Sequence, residues 1–330
     1  MVLIFSIQQD YSTNNVIQWL NYLGKDVIRL NGDDDTYIFK KADDKGIYFY
    51  NQSTSQTVNL LQAESCWWRR RGIRNRHLVP NDGATSEYNE NMQIVKQLFD
   101  AHIRNEANSL NNYICNTLYN TIPIHLGSPV FDLNRLCVLN LAKQFGLKIP
   151  NFEVITNGKQ LRKSKNTLGK IVTKAIGDGI YDIYENKRYY TYTEAVEEQF
   201  YGDNEANTFA PSLITELIEK KYEIRSFYID GAFFSMAIFS QSSEDSKIDF
   251  RISPPSVEVP YKLPLSIEQK LRKLYKSLNL NTGSADLIVN EQGDYVFLEI
   301  NPVGQFGMTS LPCNYNLEKI IAKYLTYGKI

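Results

Sequence analysis

Residues 283–307, GSADLIVNEQGDYVFLEINPVGQFG, restrict the fold more than any other stretch of the chain. Two apolar runs flank a polar turn, the pattern of a β-hairpin. A loop made of Glu291, Gln292, Gly293 and Asp294 pairs Asn290 with Tyr295 and, four steps back, Asp286 with Glu299. Directly opposed residues share a face, and the strand period of two puts Asn301 beside Glu299 while Leu298 and Ile300 point the other way. Two carboxylates facing each other in an otherwise apolar hairpin repel and lose hydration. Either one is protonated or a cation lies between them. An oxygen-only set of two acids and an amide suits magnesium, which leaves its other positions to water and phosphate oxygens. The competing reading is a solvated sheet face carrying two incidental acids.

The chain has 330 residues, room for two or three domains. Hydrophobic residues make up 43% and charged residues 22%, which argues against disorder and a disulfide scaffold. A formal charge of -1, without blocks of like charge, removes the electrostatic ground for a nucleic-acid or anionic-membrane partner. No segment approaches the ~20 apolar residues that span a bilayer. The opening MVLIFSIQQDY lacks a basic lead-in and a cleavage site, so it reads as a first strand. Cys66, Cys115, Cys137 and Cys313 have no metal-ligand spacing and read as reduced thiols, which makes the expected compartment the cytoplasm.

Along the chain, a strand at 2–7, helical spacing at 12–23 and a strand at 26–30 form a parallel βαβ unit. Short β-rich runs from Tyr37 to Val58, the segment CWWRRR at 66–71 and a helix over 86–111 complete a first domain, residues 1–120. In CWWRRR the plain reading has Trp67 and Trp68 alternating across a strand with the arginines facing solvent. Pro123, Gly127 and Pro129 mark residues 121–131 as a linker, and Asp132 stands as a helix N-cap. Strands follow at 152–155, 169–175, 181–184, 188–192 and 212–218, then a hairpin, 222–229 and 232–240, turning at Asp230 and Gly231. A helix at 266–278, the 283–300 strand pair and a helix near 316–326 end the chain. The fold class is α/β and α+β, divided at 132–215 and 216–330 after the first domain.

Several residues have the chemistry for binding a polyanion. Lys174 ends the apolar strand KIVTKA before Gly177, Asp178 and Gly179, where a cation and turn N–H groups can meet phosphate oxygens. A lysine snorkelling before an ordinary turn is the competing reading. In LITELIE, Leu217 and Ile218 lie between Glu216 and Glu219, either a binding hinge or a plain amphipathic strand end. Arg225 emerges from YEIRSFYIDG, and Arg251 follows in DFRISPP. Arginine's planar fork suits phosphate or carboxylate, although a surface salt bridge, worth only ~0–1 kcal/mol, is its common fate. His77, His102 and His125 form no triad or ligand set.

SADLI followed by LEINP resembles the metal-binding end of the ATP-grasp fold, over residues from about 130 to 330. The resemblance implies an ATP-grasp fold with an N-terminal βαβ-type (pre-ATP-grasp) domain. It implies Asp286, Glu299 and Asn301 holding one or two Mg2+ ions on the phosphates of ATP. Lys174 and a loop with Gly177 and Gly179 would then meet the nucleotide, residues 216–219 would form the adenine hinge with Glu219 near the ribose, and Arg225 and Arg251 would stabilise transferred charge. Where many such proteins carry an Asn-Lys pair, this chain has Asn134 and Arg135, so Arg135 becomes a candidate phosphate contact.

Within that superfamily the chain resembles graspetide synthetases, through LEINPVGQFGM, the DFR element and WWRRR, and in LEINPVGQFG the grasp-with-spasm branch. These enzymes activate Asp or Glu carboxylates of a ribosomal precursor peptide and close ester or amide bridges with Ser, Thr or Lys side chains. The implied partner is such a peptide, leader plus core. A homodimer is compatible, since related enzymes often pair. Residues 252–262 are candidates for lining a leader groove, their prolines excluding a central strand. The alternatives are a ligase adding amino acids to a small molecule or protein terminus, and a peptide-binding protein that retains the fold.

Overall fold

The computed structural model describes residues 1–74, 78, 90–129, 133–177, 179, 181–184, 187–190, 193–196, 208–240 and 257–330. The chain forms two compact units, Met1–Phe131 together with Asn316–Ile330, and Asp132–Tyr315.

In the first unit β1 (Val2–Ser6), α1 (Tyr11–Tyr22) and β2 (Val27–Asn31) make the expected parallel crossover, with Val2 opposite Val27 and Ser6 opposite Asn31. β6 (Ser65–Trp68) and β7 (Ile124–Leu126) extend it to a parallel sheet of order β2-β1-β6-β7. Every residue of β1 is buried, as a parallel strand covered on both faces must be. Leu3, Phe5, Ile28 and Leu30 pack with Ile114 and Leu118 of α2 (Glu90–Thr121) and with Ile47 and Phe49. The last two belong to β4 (Gly46–Asn51), central in an antiparallel sheet between β3 (Tyr37–Asp43) and β5 (Gln56–Asn59). Two expectations are corrected here. The segment 121–131 is not only a linker, because β7 pairs with β6. Residues 316–330 leave the C-terminal part of the chain and join this unit: α7 (Leu317–Tyr327) packs on α1 and buries Leu317, Ile321, Ala322 and Leu325.

The second unit contains two antiparallel sheets. β8 (Phe152–Asn157), β9 (Ile171–Lys174), β12 (Glu194–Ala195) and β13 (Thr208–Glu216) form the first, in the order β12-β9-β13-β8. α4 (Gly158–Leu168), not anticipated from the sequence, covers it by setting Leu161 on Ile155, Ile171 and Ile214. β10 (Tyr181–Tyr184) and β11 (Lys187–Tyr190) make a separate hairpin.

The second sheet has the order β16-β15-β14-β17-β18, from β14 (Lys220–Ile229), β15 (Ala232–Phe239), β16 (Val257–Tyr261), β17 (Thr282–Asn290) and β18 (Tyr295–Asn301). Asp230 and Gly231 turn β14 into β15 with φ of 44° and 92°, the double positive φ that an Asp-Gly hairpin turn needs. β16, which contains Pro260, is an edge strand, as proline requires. One face of this sheet, with Ile224, Tyr228, Ala285, Leu287 and Val289, packs under Val138, Leu139 and Ala142 of α3 (Arg135–Gln144) and Leu271, Leu274 and Tyr275 of α5 (Leu265–Ser277). The short α6 (Gly307–Cys313) follows β18. All four cysteines are free thiols.

Candidate active site

The β17–β18 hairpin reaches the expected pairing by an unexpected route. Val289, not Asn290, faces Tyr295, so the loop is one residue longer than the sequence reading has it. Carried on unbroken, that register would set Leu298 opposite Asp286 and turn Glu299 to the same side as Phe297, whose ring lies in the core beneath the helices. A bulge at Leu298 absorbs the offset. Asp286 therefore opposes Glu299, Ser284 opposes Asn301, and both carboxylates face away from the helices.

Arg225 of β14 pairs with Asp286 on its other side. Three adjacent strands thus present Arg225, Asp286 and Glu299 in one row, with Arg225 Nη1 3.6 Å from Asp286 Oδ2. Asn134 caps α3 by accepting from Cys137 N at 3.1 Å, and Arg135 follows in the first turn. Arg135 Nη2 donates to Glu299 Oε2 at 2.9 Å, and Nη1 donates to the Ala175 carbonyl. Lys174 enters from the end of β9.

Cations of the protein itself therefore meet the two acids. Burial would raise the Glu299 carboxyl, but Arg135, then Lys174 and Arg225, outweigh it and hold it below the ordinary carboxylate range. Burial pushes the Lys174 ammonium down, Glu299 and Asp286 pull it up, and Arg135 adds to the lowering. Side chains thus supply positive charge to the facing acids before any ion binds.

The two sheets of this unit flank a cleft of about 180 Å³. Of the residues singled out from sequence, Lys174, Glu216, Leu217, Ile218, Arg225, Asp286, Glu299 and Asn301 line it. Glu216 directs its carboxylate to Asn151, accepting from the backbone N at 2.9 Å and from Nδ2 at 3.1 Å. Glu219 does not line the cleft. Its exposed carboxylate pairs with Lys170 at 3.3 Å. Gly177 and Gly179 are exposed beyond β9 and are not among the lining residues. Arg251 and Asp178 lie outside the described residues. Asn301 closes a turn, its Oδ1 accepting from Val303 N at 3.0 Å and Gly304 N at 3.3 Å. That turn runs against β17 so closely that a Cβ on Gly304 would lie 3.0 Å from the Gly283 backbone.

Sequence reasoning missed Lys220 and Glu223. A second bulge, at Lys221, brings these i and i+3 residues to one face, where the buried Lys220 Nζ donates to Glu223 Oε1 in the cleft wall. Val172, Ile288 and Met308 add apolar surface between the charged groups. Period two already sets Glu223 on the face of Arg225, two residues on, but cannot place Lys220 across the bulge.

Over its full length the chain is similar to the macrocyclase MdnC of Microcystis aeruginosa MRC, solved bound with precursor peptide MdnA: 25% identical, TM-score 0.78, covering 99% of this chain and 100% of that one. It is similar to a RiPP-associated ATP-grasp ligase of Chryseobacterium gregarium, solved with ADP and a leader and core peptide, at 22% identity and TM-score 0.76, covering 100% and 97%. Macrocyclase MdnB of Microcystis aeruginosa MRC matches at 20% identity and TM-score 0.72, with 99% of each chain covered. No protein-family model and no curated protein matches the chain.

Proposed function

We propose that this chain, whose fold is that of the ATP-grasp ligases, is an ATP-dependent peptide maturase. It activates Asp or Glu side-chain carboxylates of a ribosomal precursor peptide as acyl phosphates and closes ester or amide bridges within that peptide. The observation that carries this reading is the row Arg225–Asp286–Glu299 with Lys174 inside one cleft, Arg135 bonded to Glu299 from α3, in a chain that matches end to end a macrocyclase solved with precursor peptide MdnA.

The residues present fit magnesium and a nucleotide. The donors on offer in the cleft are the two carboxylates and the Asn301 amide, hard oxygen ligands of the kind magnesium takes beside phosphate. Asp286 and Glu299 would hold the ion, and Asn301 would join them by loosening its turn. Leu217 and Ile218 would receive the base. Bound magnesium–ATP supplies the phosphoryl group that converts a carboxylate into an acyl phosphate. Arg225, Arg135 and Lys174 hold the negative charge that spreads as that group moves, in place before the reaction and therefore without reorganisation. The apolar walls limit water at a group that water would hydrolyse. No side chain acts as a covalent nucleophile. The chain orients two groups of one peptide against each other.

The test is incubation of the protein with magnesium–ATP and a Thr/Ser- and Asp/Glu-rich peptide encoded beside it, followed by mass spectrometry. Loss of one water per bridge, with release of ADP and phosphate, is the expected result. A gain in mass means addition of an amino acid instead, and an unchanged peptide with unconsumed ATP rejects both.

A further inference from the structure

The cleft leaves the WWRRR segment unused. β1, β2 and β6 run parallel and so end at one edge of the first unit, at Ser6, Asn31 and Trp68. Arg69 to Arg74 leave the sheet there, and the carboxyl edge of an open parallel sheet is where such folds receive ligands. The arginines are not uniformly solvent-facing as the plain reading has them. Arg69 is 3% exposed, its Nε on Asp10 Oδ2 at 3.0 Å and its Nη2 on Ser12 Oγ at 3.1 Å. Asp10 is equally buried and stays ionised, its carboxyl held at about 2: burial alone would raise it, and Arg69, Ser12 and Arg70 overcome that.

Arg70 is built differently. Its Nε donates to the same Asp10 oxygen at 3.1 Å, its backbone N donates to Phe5 O at 2.8 Å, and its side chain is 31% exposed. Held by one edge, it has no partner for Nη1 or Nη2 among the described residues. That is the end-on fork with which arginine takes a carboxylate through two parallel hydrogen bonds. The flanking backbone is packed too tightly to shift. A Cβ on Gly32 would lie 2.1 Å from Arg71 O, and one on Gly72 would lie 2.6 Å from Leu30 O. Arg71 and Arg74 leave the same stretch as exposed side chains, Arg74 passing over Gly32. Among the contacts of the neighbouring acids, Asp33 Oδ1 accepts from Gln8 N at 2.8 Å, and Asp34 accepts from Asn31 Nδ2 at 2.7 Å and Thr36 N at 2.9 Å. Arg29 is occupied by Asn31, Asn14 and the carbonyl of Ile7.

We infer that Arg70 is a carboxylate-receiving site on the first unit that takes an acidic stretch of peptide. That the peptide is the precursor rests on the proposed maturase function. Asp10 and Arg69 form its rigid base and touch no ligand.

The experiment uses the full chain and a fluorescein-labelled peptide alternating Thr and Glu, with a Thr/Gln peptide as its neutral counterpart. Binding is read by anisotropy for wild type, Arg70→Gln and the Arg70→Gln/Arg74→Gln pair, with magnesium–ADP binding measured in each. Wild type is expected to bind the Glu peptide roughly tenfold or more tightly than either variant does, to ignore the Gln peptide, and to weaken with salt, while ADP affinity stays the same throughout. Equal binding by wild type and variants, equal binding of the two peptides, or displacement by inorganic phosphate as effectively as by unlabelled Glu peptide overturns the site. Bridge formation in the same proteins separates the two ideas. A binding contrast without any water loss leaves the site standing and fails the maturase reading. Water loss without a contrast does the reverse.

Discussion

Asp10 carries a large consequence for a single side chain. Its carboxyl titrates at about 2 in the folded chain against an ordinary 3.8. A depressed acid contributes stability that is complete above its unfolded value and fades as pH falls from about 4 toward 2, here by about 2 kcal/mol. Asp10→Asn also strands the buried Arg69 guanidinium, so a loss of about 3 kcal/mol is expected at pH 7, shrinking below pH 4. Urea unfolding at pH 7 and pH 3 checks this, and an equal gap at both rejects it. Glu299 answers to the opposite side of the pH scale. As the largest influence holding the Lys174 proton on against burial, its removal in Glu299→Gln should lower that ammonium further, so the alkaline fall of activity begins at lower pH, besides a loss on the order of 100-fold in rate. A pH–rate profile whose alkaline limb does not move rejects the link. Asp286, Glu299 and Arg225 were legible because each is a charged residue set in a largely apolar strand, where period two fixes the face it takes. The burial of Arg69 was not, since its partner lies far upstream and no local pattern reports an ion pair.

At the scale of elements, register was the strength of the sequence reading and also its limit. A four-residue loop without a bulge and a five-residue loop with one both set Asp286 against Glu299, so the pairing was right although the turn was not. The offset is testable. Deleting Leu298 removes the bulge and keeps Glu299 opposite Asp286, so magnesium-dependent ADP binding should survive within a few-fold. Inserting an alanine after Leu298 adds a second extra residue, turns Glu299 toward the helices and should abolish binding, because a one-residue slip reverses every face. Calorimetric titration of the two variants gives the answer, and equal affinities would sink the account. α4 was missed for a different reason. Only Leu161 and Ser164 are buried in it, so it lacks an apolar stripe. Its signal lies in its ends: Asn157 Oδ1 accepts from Gln160 N at 2.9 Å, Gln160 reaches back to Thr156 N at 2.8 Å, and Gly169 follows with φ of 77°. Asn157→Ala should accordingly cost about 1 kcal/mol in thermal or urea unfolding.

For the whole molecule, the chain's two ends meet in one unit while the cleft belongs entirely to the other. A reading that proceeds along the sequence assigns residues 316–330 to whatever precedes them, because amphipathic spacing shows that α7 must cover something and not what. The structure gives it α1, at the other end of the chain. This separation has a thermodynamic consequence. Magnesium–ADP at a hundred times its dissociation constant stabilises the unit that binds it by about 2.7 kcal/mol and leaves an independent unit where it was. Ending the chain after Tyr315 removes Leu317, Ile321, Ala322 and Leu325 from the first unit's core, a loss of several buried side chains at roughly 1.5–3 kcal/mol each. Scanning calorimetry of the full chain should therefore show a transition that moves up with magnesium–ADP. The shortened chain should lose or lower the other transition and keep the nucleotide shift. If truncation instead erases the nucleotide response, the second unit does not hold the cleft by itself, and the division of labour drawn from the fold is wrong.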